Sequence, residues 1–63
     1  MKRVFRVKIV YKDGGRGEEH VMAKDDVVAR VIAIKLDAQG WRDNGEKPPA
    51  IDYCEISFLT RVN

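Results

Sequence analysis

The 63-residue sequence contains one cysteine, one histidine, two prolines and five glycines. A single cysteine excludes an internal disulfide framework, which favours a reducing compartment. One cysteine and one histidine are too few for a structural zinc site within one chain, so we expect no metal. No dinucleotide, phosphate-loop or calcium-loop pattern is present, so we expect no cofactor. The low proline and glycine content also excludes a collagen-like or low-complexity chain.

Long apolar runs are missing as well. No run approaches the roughly 18 apolar residues that a membrane-spanning helix needs. Residues 1–8 begin with positive charge, as a secretory signal does, but Arg6 and Lys8 interrupt the apolar stretch that would have to follow. We therefore expect a soluble, cytoplasmic protein with no membrane partner.

The composition is that of a globular domain, with 44% hydrophobic and 35% charged residues and a formal net charge of +2. A disordered tail would be poorer in apolar residues and carry a larger net charge. The length allows one domain, residues 1–63. A domain of this size is marginally stable alone, and small domains add disulfides, metals or a partner subunit. Because the first two are not expected here, oligomerisation is favoured.

Alternation of apolar and mostly charged residues predicts a strand over residues 3–12, with Val10 as the exception on the charged side. Its apolar side carries Phe5, Val7, Ile9 and Tyr11, and its charged side carries Arg6, Lys8 and Lys12. The segment Asp13–Gly17 supplies a glycine-rich hairpin turn. Residues 18–24 then form the return strand, with Val21 and Ala23 facing inward.

A helix is predicted to begin at Asp25–Asp26, because an aspartate can cap the first turn and suits the positive end of the helix dipole. It should run to about Gln39 and stop at Gly40. A loop over residues 40–50 follows, and residues 51–62 form a third strand. Cys54, Ile56 and Phe58 share one face of that strand.

This order of elements predicts an α+β fold with two layers in the sequence β-β-α-β. A right-handed crossover between the second and third strands gives a three-stranded antiparallel sheet of order 2-1-3. One helix then covers one face of that sheet.

The helix has two apolar stripes, although one is enough to cover three strands. The first stripe contains Val27, Val31, Ile34 and Ala38, and the second contains Val28, Ile32 and Leu36. We expect the second stripe to meet a second copy in a homodimer, with Lys35 at the rim. The 40–50 loop with Trp41 could cover this stripe instead. Edge pairing of the third strands into a six-stranded sheet is a further possible dimer.

Catalysis is not expected. A nucleophilic site needs a base beside an activated hydroxyl or thiol. The only histidine, His20, and the only cysteine, Cys54, should point to opposite faces by strand alternation. The sequence therefore predicts a protein that is not an enzyme.

Positive charge is concentrated at the amino-terminal end of the sequence. Residues 1–17 carry six basic residues and one acidic residue, whereas residues 18–63 carry six basic and nine acidic residues. This predicts a basic stripe on the open face of the sheet that attracts anionic partners. Glutamates on neighbouring strands could also neutralise it. The predicted partner-binding residues are Arg6, Lys8, Lys12 and Arg16 on this stripe, with Trp41 and Arg42 in the loop.

The resulting hypothesis is stoichiometric binding of a protein target with an acidic surface, as an inhibitor or adaptor. Stand-alone chains of this size are frequent among accessory proteins of phages and mobile elements. Trp41 is either a core residue or an anchor in a partner's pocket. The alternative function is binding of nucleic acid by the same stripe, or of a phosphorylated ligand at the dimer seam, where Lys35 would contact it.

Overall fold

A computed structural model describes residues 2–62 and shows an α+β fold. The chain forms strand β1 (Lys2–Tyr11), strand β2 (Arg16–Ala23), helix α1 (Asp26–Asp43) and strand β3 (Ile51–Val62). The three strands form an antiparallel sheet of order β2-β1-β3, with α1 on one face. The predicted fold and strand order are confirmed, and residues 1 and 63 of the predicted domain lie outside the described part.

The central strand β1 supplies half of the core. Its alternating residues Phe5, Val7, Ile9 and Tyr11 are all buried, as the period-2 pattern predicts. From β2, Val21 and Ala23 complete this side of the sheet, also as predicted. The alternation of buried and exposed residues is clearest in β1 because β1 is the central strand, the only one of the three with a neighbour on both edges.

Strand β3 is less regular than the other two. Its pairing with β1 shifts register between Val4 and Phe5 and between Val10 and Tyr11. Extra residues on β3 at these points, Leu59 and Asp52, mark β-bulges. The segment from Tyr53 to Phe58 between the bulges pairs with β1 without interruption.

Helix α1 begins as predicted. The side chain of Asp25 accepts a hydrogen bond of 2.9 Å from the backbone N–H of Val28, and Asp26 adds a negative charge in the first turn. Both features stabilise the positive end of the helix, where backbone N–H groups lack helical partners.

The predicted end of the helix at Gly40 is wrong. Gly40 and Trp41 lie inside α1, and the helix ends at Asp43. Gly45, at φ 76°, adopts the left-handed conformation that terminates the helix, and its N–H bonds to the Arg42 carbonyl at 2.9 Å. The N–H of Glu46 reaches the Trp41 carbonyl, which completes a Schellman motif. The predicted 40–50 loop is therefore shorter, residues 44–50.

The two helix stripes differ in how they contact the rest of the subunit. The residues that face the sheet most closely are Ala29 and Ala33, both fully buried. Val28 and Ile32, assigned above to a dimer interface, pack against the core of their own subunit. Two alanines let the helix approach the sheet until its flanking side chains reach the core, and both Val28 and Ile32 remain half-buried. Lys35 and Leu36 are exposed, as are Val27 and Val31 of the other stripe.

The helix covers the sheet unevenly, because it packs mainly against β2 and touches β3 least. On the helix side of β3, Cys54 and Ile56 are only half-buried, and Phe58 is 52% exposed. The Phe58 ring stands edge-on to the Phe5 ring, with centroids 5.8 Å apart. Among residues 2–62, no helix combines the length and apolarity that crossing a membrane requires.

Candidate functional site

The face of the sheet opposite α1 has no covering layer among residues 2–62. We call it the open face. The pairing register places its side chains in rows across the three strands. The side chains that line up across the sheet are those of Val4, Met22 and Thr60; Arg6, His20 and Ser57; Lys8, Glu18 and Glu55; and Val10, Arg16 and Tyr53.

Two charged rows form the middle of the open face. Lys8 of the central strand lies directly opposite Glu18 on one side and Glu55 on the other. In the next row, Arg6 is half-buried, and its Nε is shut off from solvent with no hydrogen-bond partner within residues 2–62. His20 reaches Glu18 at 3.1 Å, a solvent-exposed contact of the kind that contributes little to stability.

Apolar side chains lie at both ends of the open face. At one end, Met22 is 53% exposed beside the half-buried Val4, and Val62 lies opposite Lys2. At the other end, Tyr53 is 46% exposed beside Val10 and Arg16. The depression around Val10 measures about 390 Å³ and extends from Arg16 and Tyr53 to the Lys8 row.

The predicted basic stripe is only partly present. Arg6 and Lys8 lie on the open face as predicted, but Lys12 does not share it, because β1 ends at Tyr11 and Lys12 lies in the turn. Arg16 is the first residue of β2 and adds to the open face opposite Val10. Two glutamates flank Lys8, so the charge there is mixed in sign. The open face is consequently a mosaic of basic, acidic and apolar groups.

A second polar cluster joins the helix end to the sheet. The Tyr11 hydroxyl lies 2.7 Å from both carboxylate oxygens of Asp37 and donates its single proton to that group. Trp41 Nε1 donates to the Tyr11 hydroxyl oxygen at 3.2 Å, and the two rings meet edge to face at 5.9 Å. This chain of hydrogen bonds fixes the carboxyl-terminal half of α1 over the hairpin end of the sheet.

The protonation of Tyr11 reflects this environment. Burial raises the pKa of the Tyr11 hydroxyl above its usual value of 10.0, and the hydrogen bond to Asp37 raises it further. Both effects favour the neutral hydroxyl, which can donate a proton to the carboxylate. At neutral pH the hydrogen bonds of this cluster therefore hold the end of α1 against the sheet.

Trp41 and Arg42 were both predicted to bind a partner from a loop. Trp41 instead lies in the last turns of α1, is half-buried and contacts Tyr11, which favours the core role over the anchor role. Arg42 lies in the last helical turn and is exposed. Sequence reasoning did not identify Met22 and Val62 as site residues. For Met22 the signal was there, because it is an apolar residue on the charged side of β2. Alternation alone would place Val62 with Cys54, Ile56 and Phe58, and the bulge at Leu59 is what brings it to the open face.

The only histidine and the only cysteine are far apart in the sheet. His20 lies opposite Arg6 on the open face, whereas Cys54 lies opposite Ile9 on the helix side. Within residues 2–62 no three histidine, cysteine or acidic side chains are grouped so that they could hold a metal ion.

Comparison with family models, curated proteins and solved structures finds no match to this chain.

Proposed function

We propose that this chain is a non-catalytic binding protein that engages one protein target, as an inhibitor or adaptor, through the open face. The observation that supports this most directly is the exposure of Met22, Tyr53 and Val62 on a face that α1 leaves uncovered. Tyrosine, methionine and arginine are enriched in protein interfaces. Arg6 and Arg16 lie among these apolar residues.

The target's chemistry follows from the charge of the open face. Four basic residues, Lys2, Arg6, Lys8 and Arg16, share it with only two glutamates in the paired rows. A complementary target surface carries acidic groups around an apolar centre. Charge of this kind raises the association rate and selects the partner, while the apolar residues contribute affinity through burial.

The mosaic favours a protein target over nucleic acid. A phosphate backbone requires an uninterrupted basic track, whereas Lys8 has a glutamate on each side. Single-stranded nucleic acid also requires successive aromatic platforms. Tyr53 is the only aromatic side chain on the open face within residues 2–62. Binding of nucleic acid is therefore the less favoured alternative, and the experiment on the open face also measures it.

The proposed working form is a cytoplasmic homodimer. A 63-residue chain with a single cysteine cannot stabilise itself by an internal disulfide. A second subunit is the remaining common solution for a core built on eight buried residues among those described. The single free cysteine fits a reducing compartment.

A capture experiment with matched charge variants tests the open face. The tagged protein is incubated with lysate of its source cells, and the bound proteins are identified by mass spectrometry. A purified candidate target is then titrated by calorimetry against the wild type, Arg16→Glu and Lys35→Glu. The two variants make the same charge reversal, one on the open face and one on the exposed side of α1.

We expect a target that binds one per subunit, with at least tenfold weaker binding for Arg16→Glu and unchanged binding for Lys35→Glu. Equal loss in both variants would mean that only net charge matters, and unchanged binding in both would place the site elsewhere. Fluorescently labelled DNA and RNA are titrated in parallel at low salt. Tight binding of either, with a steep salt dependence, would replace the protein target with nucleic acid.

A further inference from the structure

The outer edge of β3 is long and lacks the usual protection of an edge strand. β3 has 12 residues and contains neither lysine nor proline. It pairs only with β1, so its other edge is unpaired within residues 2–62. Natural edge strands are usually short or carry lysine, proline or bulges that prevent further pairing. Here the two bulges lie towards the strand ends and leave the segment from Tyr53 to Phe58 regular.

The apolar surface beside this edge is incompletely covered. Because α1 packs mainly against β2, the helix-side residues Cys54 and Ile56 remain half-buried and Phe58 remains half exposed. A strand added at the edge of β3 would bring a further layer of side chains against these three residues.

The subunit exposes more surface than a compact monomer of its size. Its accessible surface is 4605 Å², whereas a compact monomer of 7.2 kDa exposes about 4,100 Å². Its Cα radius of gyration is 12.0 Å, against about 10.6 Å for a compact domain of this length. The subunit is flat, with extents of 36 × 21 × 14 Å. A standard interface buries about 800 Å² per partner, so a dimer would more than remove the excess surface.

We propose that a second copy of this chain pairs with the outer edge of β3, antiparallel and centred on Ile56, to form one six-stranded sheet. This inference names the interface of the homodimer proposed above and is independent of the open-face target. Two identical antiparallel strands are related by a two-fold axis perpendicular to the sheet. Both helices therefore lie on the same side, with the two poorly covered β3 segments between them.

The sequence of β3 favours this register over the neighbouring one centred on Glu55. Directly opposed residues in an antiparallel pair point to the same face of the sheet. A helix-side residue of one copy must therefore oppose a helix-side residue of the other, and an open-face residue must oppose an open-face residue. Centring on Ile56 places Cys54 opposite the second copy's Phe58 on the helix side, and Glu55 opposite Ser57 on the open face. Shifting the centre to Glu55 would oppose two glutamates, which is unfavourable.

A second copy also fits better than a strand of another protein. In the register centred on Ile56, every helix-side contact within the regular segment joins apolar residues, and no like charges oppose each other. The edge is thus complementary to itself.

The first test measures mass in solution. Sedimentation equilibrium of the wild type should give twice 7.2 kDa at micromolar concentration. Phe58→Lys should raise the dimer Kd at least tenfold, because it places a charge among the joined apolar residues. Met22→Lys makes a matched change at an equally exposed residue of β2, at the far edge of the sheet, and should leave the Kd unchanged. Circular dichroism checks that each variant is folded.

The second test does not depend on Phe58, which also contacts Phe5. In a Cys54→Ala background, Ile56→Cys and Ser57→Cys are oxidised separately at low protein concentration. Opposed Cα atoms in such a pair lie about 4.5–5.5 Å apart, within reach of a disulfide. Ile56→Cys should form a covalent dimer, and Ser57→Cys, displaced from the axis, should not.

The outcomes separate the two proposals. A monomeric wild type at about 100 µM, well above the micromolar range of a standard dimer, would overturn both the homodimer and this interface. A dimer that resists Phe58→Lys, or that fails to cross-link through Ile56→Cys, would overturn the interface and leave the homodimer standing. A Ser57→Cys dimer without an Ile56→Cys dimer would overturn the register. None of these results bears on the open-face target.

Discussion

At the scale of single residues, the contact that the sequence conceals best is the one between Tyr11 and Asp37. The two residues are 26 positions apart, and Asp37 looks like an ordinary charged residue on the polar side of α1. In the structure it accepts the proton of a buried tyrosine, so that side of the helix is not simply solvated. Hydrogen bonds to a charged group are stronger than those between neutral groups.

Tyr11→Phe removes the hydroxyl and leaves the Asp37 carboxylate and the Trp41 N–H without this partner. We expect a loss of about 1–2 kcal/mol in the free energy of unfolding at pH 7, measured by urea denaturation. Tyr53→Phe, at an exposed tyrosine, is the matched control and should change stability little. An equal loss in both variants would contradict the role assigned to the cluster.

The same tyrosine predicts a pH dependence. The pKa of Tyr11 is raised in the folded state, chiefly by burial and then by the hydrogen bond to Asp37, so the unfolded chain ionises first. The stabilising contribution is complete below the unfolded pKa of about 10 and is lost as pH rises through the higher folded value. The wild type should therefore lose stability more steeply than Tyr11→Phe above about pH 10. Parallel pH profiles for the two proteins would refute this.

Gly17 is required by the same cluster. A Cβ added at Gly17 would lie 2.6 Å from the Tyr11 hydroxyl oxygen and 2.9 Å from Asp37 Oδ1. Gly17→Ala should cost about 1–3 kcal/mol of stability, because these side chains must shift out of their hydrogen bond. In a Tyr11→Phe background the cost should be smaller, and a double-mutant cycle of urea midpoints measures the difference. Additive effects would show that the hydrogen bond between Tyr11 and Asp37 does not require a glycine at position 17.

At the scale of whole elements, α1 shows why the sequence alone does not reveal which of two nearby glycines ends a helix. Gly40 lies inside the helix with open space around it, whereas Gly45 has a positive φ and terminates the helix. Asn44–Gly45 reads as a turn in the sequence, and Gly40 precedes it by about one helical turn. The distinction depends on Trp41, whose contact with Tyr11 keeps the chain helical past Gly40.

Alanine at each glycine should therefore have opposite effects. Gly40→Ala should raise the free energy of unfolding by about 0.5–1 kcal/mol, because alanine loses less backbone entropy in a helix. Gly45→Ala should lower it by about 1 kcal/mol or more, because alanine is strained at positive φ. Thermal melts followed by circular dichroism measure both. A stabilising Gly45→Ala would place the end of the helix elsewhere.

The strands were more predictable than the helix. In β1 the alternation of Phe5, Val7, Ile9 and Tyr11 names four buried residues correctly, because a half-buried strand has a fixed period of two. In α1 apolar residues occur on most sides, so periodicity does not select the face. What selects it is side-chain size, since Ala29 and Ala33 allow the closest approach to the sheet. Pattern reasoning weighs apolarity and not volume, so it does not show that Val28 and Ile32 flank these alanines and contact the core of their own subunit.

The candidate site was predictable in part for a related reason. Alternation places Arg6 and Lys8 on the open face correctly. The sequence suggests that glutamates could neutralise them, but only the pairing register shows that Glu18 and Glu55 both oppose Lys8. Register depends on the turn and on the bulges of β3, which the alternation does not encode. The end of β1 at Tyr11 likewise removes Lys12 from the face.

At the scale of the whole molecule, the two proposed surfaces should respond differently to salt. The open face uses charge complementarity, which salt screens, whereas the β3 interface uses backbone pairing and apolar contact. Raising salt from about 0.05 M to about 0.5 M should weaken target binding several-fold and leave the dimer Kd within about threefold. Calorimetry and sedimentation measure the two. A dimer that dissociates in salt would contradict an apolar interface.

All three strands lie in one layer with the helix on a single side. A strand-paired dimer would therefore carry both helices on one side and both open faces on the other. Its two open faces would point in the same direction across one continuous sheet. Such a particle is bivalent, and a target with two neighbouring acidic patches would bind with avidity beyond that of either contact alone. A separated subunit would retain the contact residues and lose that gain.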